Sequence, residues 1–167
     1  AKAITSTGYE QCTLQDIASK VGLSRPALYY YFSTKQEIFS VIALTSAKGM
    51  YEFVLPRVDK EVHPIKKLFV FMTSHAMYFD SNFWMVNATI GYDVSYGGIA
   101  KRQVQELKSF ESYRAKYWLI LEEVIVDGVK RDIFDCENPR FVTRSVFQLL
   151  NIARWFNRDG SIDAVEV

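Results

Sequence analysis

Arg25, Tyr29, Tyr30, Tyr31, Thr13, Gln15 and Lys35 are side chains suited to gripping phosphate and reading base edges. The arginine fork can take O6 and N7 of a guanine together, so Arg25 is the leading candidate base reader. Ala27 is small enough to let the backbone approach a base or to touch a thymine methyl. The three tyrosines offer hydroxyls to phosphates, with one or more of their rings expected to be buried against the first helix of the pair. Thr13, Gln15 and Lys35 fall at predicted helix starts, where side chains and free N–H groups meet phosphate oxygens. Leu28 and Phe32 read as core.

The elements that must position these groups lie between Thr13 and Lys35. Thr13 is the expected cap of a first helix, with Asp16 three residues on, where a carboxylate suits the positive end. Ile17, Ala18 and Val21 give an apolar face at helical spacing. Gly22 suits the stop, because it tolerates left-handed backbone angles. Ser24 caps a second helix with Pro26 in its first turn, where a missing N–H costs nothing. Ser33, with Gln36 three residues later, reads as the capping box of a third. Two short helices around a glycine-containing turn are the pattern of a helix-turn-helix. Its second helix enters the major groove with its N-terminal residues on base edges.

The spacing is narrower than that general pattern. Gly8-Tyr9, Thr13, Ile17-Ala18, Val21-Gly22-Leu23-Ser24, Leu28-Tyr29, Tyr31-Phe32, Lys35 and Glu37-Ile38 resemble the DNA-binding domain of the TetR family of repressors over about 45 residues. Ile4, where the family often has Phe, and Pro26, where many members have Gly, depart from it. The resemblance implies a homodimer on a palindromic operator that is released by a small molecule. It points to Thr13, Gln15, Arg25, Pro26, Ala27, Tyr29, Tyr30, Tyr31 and Lys35 as the DNA-binding positions. Charge adds little: the whole chain carries +1, and Lys2, Lys20, Arg25 and Lys35 exceed Glu10, Asp16 and Glu37 by one over residues 1–45. The opening AKAITSTGYE reads as the last turns of a helix, and the closing DGSIDAVEV as the start of one, so both ends look cut.

Other chemistry finds little support. His63 and His75 have no Cys or carboxylate at metal-ligand spacing, and no nucleophile elbow is present. The loop GYDVSYGG, Gly91–Gly98, lacks the GK[ST] ending of a phosphate-cradling turn. No catalytic residue, metal or cofactor is therefore expected. Cys12 and Cys136 are isolated, which suits reduced thiols and a cytoplasmic location. No apolar run approaches the roughly 20 residues of a membrane span, and no signal peptide is visible.

Behind the headpiece, the periodicity predicts a helix over 34–54 ended by Pro56, with Ile38, Val41, Ile42, Thr45 and Met50 as its apolar stripe. Further helices are expected over 64–79, from Phe83, over 99–129 and over 139–157. No strand alternation appears anywhere, so the expected fold is all-α. About eight or nine helices would form a three-helix headpiece over residues 1–45 and a larger ligand-binding and dimerisation bundle over 46–167.

Aromatics and Met crowd residues 69–84 and recur at Tyr113, Tyr117, Trp118 and Phe147. Such side chains fill a core or enclose an apolar pocket. On the last helix, Arg140, Arg144, Gln148, Asn151, Arg154 and Arg158 share one broad polar face, a solvated surface or a seam for an anionic ligand or a partner subunit. Its ending, NIARWFNRDGS, resembles that of TetR-like regulators of lipid breakdown, which implies an acyl-CoA or other lipid-like effector. His75, Tyr78, Trp84, Tyr113, Tyr117, Phe147, Asn151, Arg154 and Arg158 are the candidate ligand residues, with Arg154 and Arg158 towards the CoA phosphates. The expected function is a ligand-responsive repressor, most simply a homodimer. A small-molecule-binding bundle with a vestigial headpiece, or a DNA binder regulated by a protein partner, remain as alternatives.

Overall fold

The computed structural model describes residues 1–3, 8, 11–89 and 101–158, with the side chains at 87, 89, 101–104 and 152–158 excepted. The loop expected at Gly91–Gly98 lies outside these residues. Seven helices are delimited among them: α1 Leu14–Lys20, α2 Arg25–Tyr31, α3 Lys35–Val58, α4 Pro64–Ser81, α5 Phe83–Thr89, α6 Lys101–Lys130 and α7 Pro139–Arg158. Lys2 and Ala3 are helical as well. The described residues contain no strand, in keeping with the all-α expectation, and seven helices are delimited among them against the eight or nine expected of the whole chain.

Two compact units divide the chain: residues 1–49 with 81–115, and residues 50–80 with 116–167. α3 and α6 each begin in the first unit and end in the second.

In the first unit the local chemistry sets α1 and α2. Thr13 and Asp16 form a reciprocal capping box: the Asp16 N–H donates to the Thr13 hydroxyl, and the Thr13 N–H donates to the Asp16 carboxylate at 2.8 Å. The Thr13 hydroxyl also donates to that carboxylate at 2.6 Å. This bond, and then the backbone one, holds the Asp16 carboxyl below its ordinary range. α1 ends in a Schellman arrangement, with Leu23 N–H on the Ala18 carbonyl, Gly22 N–H on the Ser19 carbonyl, and Gly22 at φ +70°. Ser24 then accepts from the Ala27 N–H to start α2.

The cap of α3 is Thr34 rather than Ser33. Its hydroxyl accepts from the Glu37 N–H, and the Glu37 carboxylate accepts from the Ser33 N–H. Two overlapping Ser/Thr-x-x-Gln/Glu matches compete here, and the charged Glu37 suits the positive helix end better than Gln36.

Ile17, Ala18, Leu28, Ile38, Phe39, Ala43, Cys12, Ala3 and Phe110 form the buried core of this unit, with Leu14 and Phe32 packed against it. Val21, expected in that face, is exposed because it sits in the turn that Gly22 makes. The buried positions of α3 are Ile38, Phe39, Ser40, Ala43, Ser46, Met50, Val54 and Val58. Val41 and Thr45 face out. Small residues mark the true stripe, which counting large apolar residues misses.

Pro56 does not end α3. A proline forfeits one helical hydrogen bond, and here the loss falls in the last turn. The chain still closes Asp59 N–H onto the Leu55 carbonyl at 3.0 Å, and Val54 and Val58 on either side are buried. α3 is long and apolar enough to cross a bilayer by length and composition alone. Lys48 and Glu52 interrupt it, and its buried residues are packed core.

In the second unit α4 buries Phe71, Ser74, His75, Tyr78 and Phe79 at spacings of three and four, while Phe69 and Met77 face out. α6 contributes Tyr117, Ile120, Leu121, Val124 and Ile125, and α7 contributes Thr143 and Phe147. α6 ends where Ile133 and Phe134 both donate to the Gly128 carbonyl, and Asp132 takes φ +55°. Arg131 reaches from this turn to the Val62 carbonyl, and Asn138 caps α7 through the Phe141 N–H.

A Cβ at Gly128 would fall on the Phe134 ring. Gly128→Ala is therefore expected to lower stability in denaturant titrations by about 1–2 kcal/mol, although Ala favours helix. The loss should shrink in a Phe134→Ala background, because the two sites are coupled. A second expectation concerns acid. Asp16 has a depressed folded-state pKa, so its contribution is present above the usual carboxylate range and lost as pH falls through the folded value. Asp16→Asn should flatten that part of the acid limb of stability, followed by circular dichroism.

Candidate nucleic-acid interface and effector site

α1 and α2 pack on each other through Ile17, Ala18 and Leu28, which leaves the opposite side of α2 to solvent. Arg25 and Pro26 are exposed and Ala27 half-buried. Tyr29, Tyr30 and Tyr31 are 40%, 84% and 64% exposed. None of the three rings is buried against α1, contrary to expectation. Leu28 fills that position, with Phe32 beside it. Three adjacent residues of a helix span about 200° of arc, and Leu28 already occupies the inner side.

Arg25 and Tyr29 stand one helical turn apart. The Arg25 Nη2 donates to the Tyr29 hydroxyl at 3.2 Å, and the guanidinium lies 5.3 Å from the ring centroid. Arg25 is thus laid along α2 by its own helix, a partnership not expected above although the i, i+4 spacing allows it. Tyr30 and Tyr31 meet edge to face at 5.1 Å. Gln15 is exposed at the first turn of α1, and Lys35 is half-buried at the start of α3. The Thr13 hydroxyl is used inside its capping box, which leaves Thr13 mainly a cap.

The effector candidates separate. His75, Tyr117 and Phe147 come together in the second unit, with Phe71 at their centre. Phe71 stacks on Tyr117 at 5.3 Å and meets Phe147 edge-on at 5.6 Å. Trp118 lies on Phe147 at 4.4 Å. The Nδ1 of His75 pairs with the Tyr117 hydroxyl at 2.5 Å, and both residues are buried. Burial pushes the Tyr117 hydroxyl well above its ordinary pKa, so it stays protonated.

Tyr78 packs on Phe53 at 5.6 Å in the same unit, and its hydroxyl is pushed up by burial and then by the Glu52 carboxylate. Trp84 and Tyr113 belong to the first unit, Trp84 meeting Phe83 edge-on. Asn151 is half-buried on α7. Arg154 and Arg158 are on α7, but their side chains lie outside the described residues. Of the polar face of α7, Arg144 and Gln148 are exposed, and Arg140 is paired with Glu122 at 3.0 Å. Phe71, one turn from His75 on α4, belongs to this cluster too, although it is not among the residues expected there. Among the described residues no group of His, Cys, Asp and Glu is arranged to hold a metal ion.

The family model "Bacterial regulatory proteins, tetR family" matches residues 1–42, and "Tetracyclin repressor-like, C-terminal domain" matches residues 63–167. No curated protein matches the chain. Among solved structures it is similar to the TetR family transcriptional regulator PfmR from Thermus thermophilus. The identity is 30% over 96% of this chain and 85% of that one, with a TM-score of 0.79. AibR, solved with isovaleryl coenzyme A and operator DNA, shares the fold at 21% identity, 92% and 80% coverage and a TM-score of 0.77. FadR from Bacillus subtilis, solved with stearoyl-CoA, does so at 15% identity, 96% and 85% coverage and a TM-score of 0.71. Regulators of this kind are non-enzymatic proteins that bind operator DNA and respond to small-molecule effectors. With both family models matched and a helix-turn-helix built as its residues require, the chain belongs to the TetR family of bacterial transcriptional regulators.

Proposed function

We propose that this protein is a homodimeric repressor that leaves a palindromic operator when an acyl-CoA or similar lipid-like effector binds behind its headpiece. The observation that carries the DNA part is the outward side of α2. Arg25 and the three tyrosines stand exposed on a helix whose inner side is anchored by Leu28. Arg25 reads a base edge, Ala27 and Pro26 allow close approach, and Gln15, Tyr30, Tyr31 and Lys35 meet phosphates.

Dimerisation places two copies of α2 about 34 Å apart, in successive major grooves. The exposed Leu119, Phe141 and Leu149 of the second unit favour a subunit contact there, beside a groove lined by Leu119, Glu122, Glu123, Val126, Asp127 and Lys130. Its exposed Glu123 suits the exposed Arg144 of a second copy, whereas Glu122 and Asp127 are already held by Arg140 and Arg131.

The effector part is favoured by the aromatic cluster around Phe71 and by the CoA ligands of AibR and FadR. α3 runs unbroken from one unit into the other, which makes it the natural carrier of a change from body to headpiece. The effector weakens DNA binding only as far as it prefers the shape that does not bind DNA.

In gel shifts with the gene's own upstream DNA, Arg25→Ala should reduce discrimination between specific and random DNA by about 1–3 kcal/mol. Lys35→Ala should weaken binding to both and reduce the salt slope by about 1. If the double variant still binds the specific site unchanged, these readers are wrongly assigned. A response flat in salt would favour a bundle with a vestigial headpiece. Phe141→Asp with Leu149→Asp should move the protein from dimer to monomer in sedimentation equilibrium, and an unchanged mass would place the subunit contact elsewhere.

A further inference from the structure

We infer that Nε2 of His75 is the hydrogen-bond donor that receives the acyl oxygen of the effector. This rests on the effector-binding reading above and assigns one contact within it. His75 is 4% exposed, and its ring lies 6.2 Å from Phe71, 5.8 Å from Tyr117 and 6.2 Å from Phe147. Its two nitrogens differ sharply. Nδ1 is paired with the Tyr117 hydroxyl, whereas Nε2 is buried with no hydrogen-bond partner among the described residues. Leaving a buried polar atom unpaired costs about 1–3 kcal/mol, and the large majority of such atoms in folded proteins are paired.

The proton can be placed. Tyr117 is deeply buried and keeps its phenolic proton. Neither side chain has another hydrogen-bond partner among the described residues, so donation by Nδ1 would strand both the phenolic hydrogen and Nε2, whereas donation by the phenol to Nδ1 strands Nε2–H alone and is the less costly arrangement. A neutral imidazole that accepts at Nδ1 carries its hydrogen on Nε2. The cluster thus holds a fixed N–H donor among aromatic rings, oriented by Tyr117 from behind. Its complement is an apolar molecule with one strong acceptor. An acyl oxygen at the head of a hydrocarbon chain has that chemistry, whether in a CoA thioester or a free carboxylate. Trp118, half-buried on Phe147, marks the outer edge at which rings would part to admit it.

The test is calorimetric titration of the full chain with octanoyl-CoA and stearoyl-CoA, and with S-octyl-CoA and S-octadecyl-CoA. The thioethers keep chain and nucleotide but lack the carbonyl. Octanoate and stearate form a third arm. The wild type should prefer a thioester to its thioether by about tenfold. His75→Phe should abolish that preference and leave thioether affinity within about twofold, while His75→Gln, which keeps a donor, should retain part of it. Tyr117→Phe should reduce the preference without abolishing it, because the tautomer is then free to exchange.

Binding of the carboxylates alone, lost in His75→Phe, would uphold the contact and assign the oxygen to a free acid. Equal affinity for thioester and thioether in the wild type, or a preference that survives His75→Phe, would overturn the contact and leave the effector reading standing. The wild-type comparison decides this even if a variant fails to fold. Binding of none of the six compounds would overturn the effector reading and this inference with it.

Discussion

The left-handed turn at Gly22 is the constraint on which the headpiece depends. α1 must stop abruptly and the chain must reverse within four residues so that Leu28 can meet Ile17 and Ala18. At φ +70° a side chain would meet its own backbone, and glycine avoids that penalty. The caps on either side hold the turn in register. Thr13 with Asp16 starts α1, and Ser24 starts α2 at the residue that puts Arg25 and the tyrosines outward. Each of these helices is only seven residues long. Helices so short are unstable alone, so caps and shared core must act together.

In the second unit the governing interaction is a different one. A hydroxyl and an imidazole are buried face to face, and the rings of Phe71 and Phe147 enclose them. Polar groups in such surroundings are costly unless paired. One nitrogen of His75 is paired and one is not, an imbalance that sets this cluster apart from an ordinary aromatic core. α3 and α6 each supply core residues to both units.

Much of this was legible in the residues. Caps and glycine stops act within four or five positions, so Thr13, Asp16, Gly22 and Ser24 announce α1 and α2 directly. The rule failed where two matches overlap, at Ser33 and Thr34, because the choice turned on which carboxylate or amide closes the box. It failed again on α3, where Ser40, Ala43 and Ser46 are buried for their small size and hydrophobicity did not mark them. Pro56 misled because a proline costs one hydrogen bond, and burial of Val54 and Val58 outweighs that in a last turn.

The fold class, the helix-turn-helix and the outward place of Arg25 follow from local backbone chemistry and from helical period, and so were legible in the residues alone. Which aromatics gather was decided only by tertiary structure. His75 and Tyr117 are 42 positions apart, and no periodicity on α4 or α6 reveals that their polar atoms face each other. Trp84 and Tyr113 have the same composition as the cluster and lie in the other unit. Which nitrogen of His75 is left unpaired depends on a partner brought by another helix, and so it becomes visible only when the two are packed together.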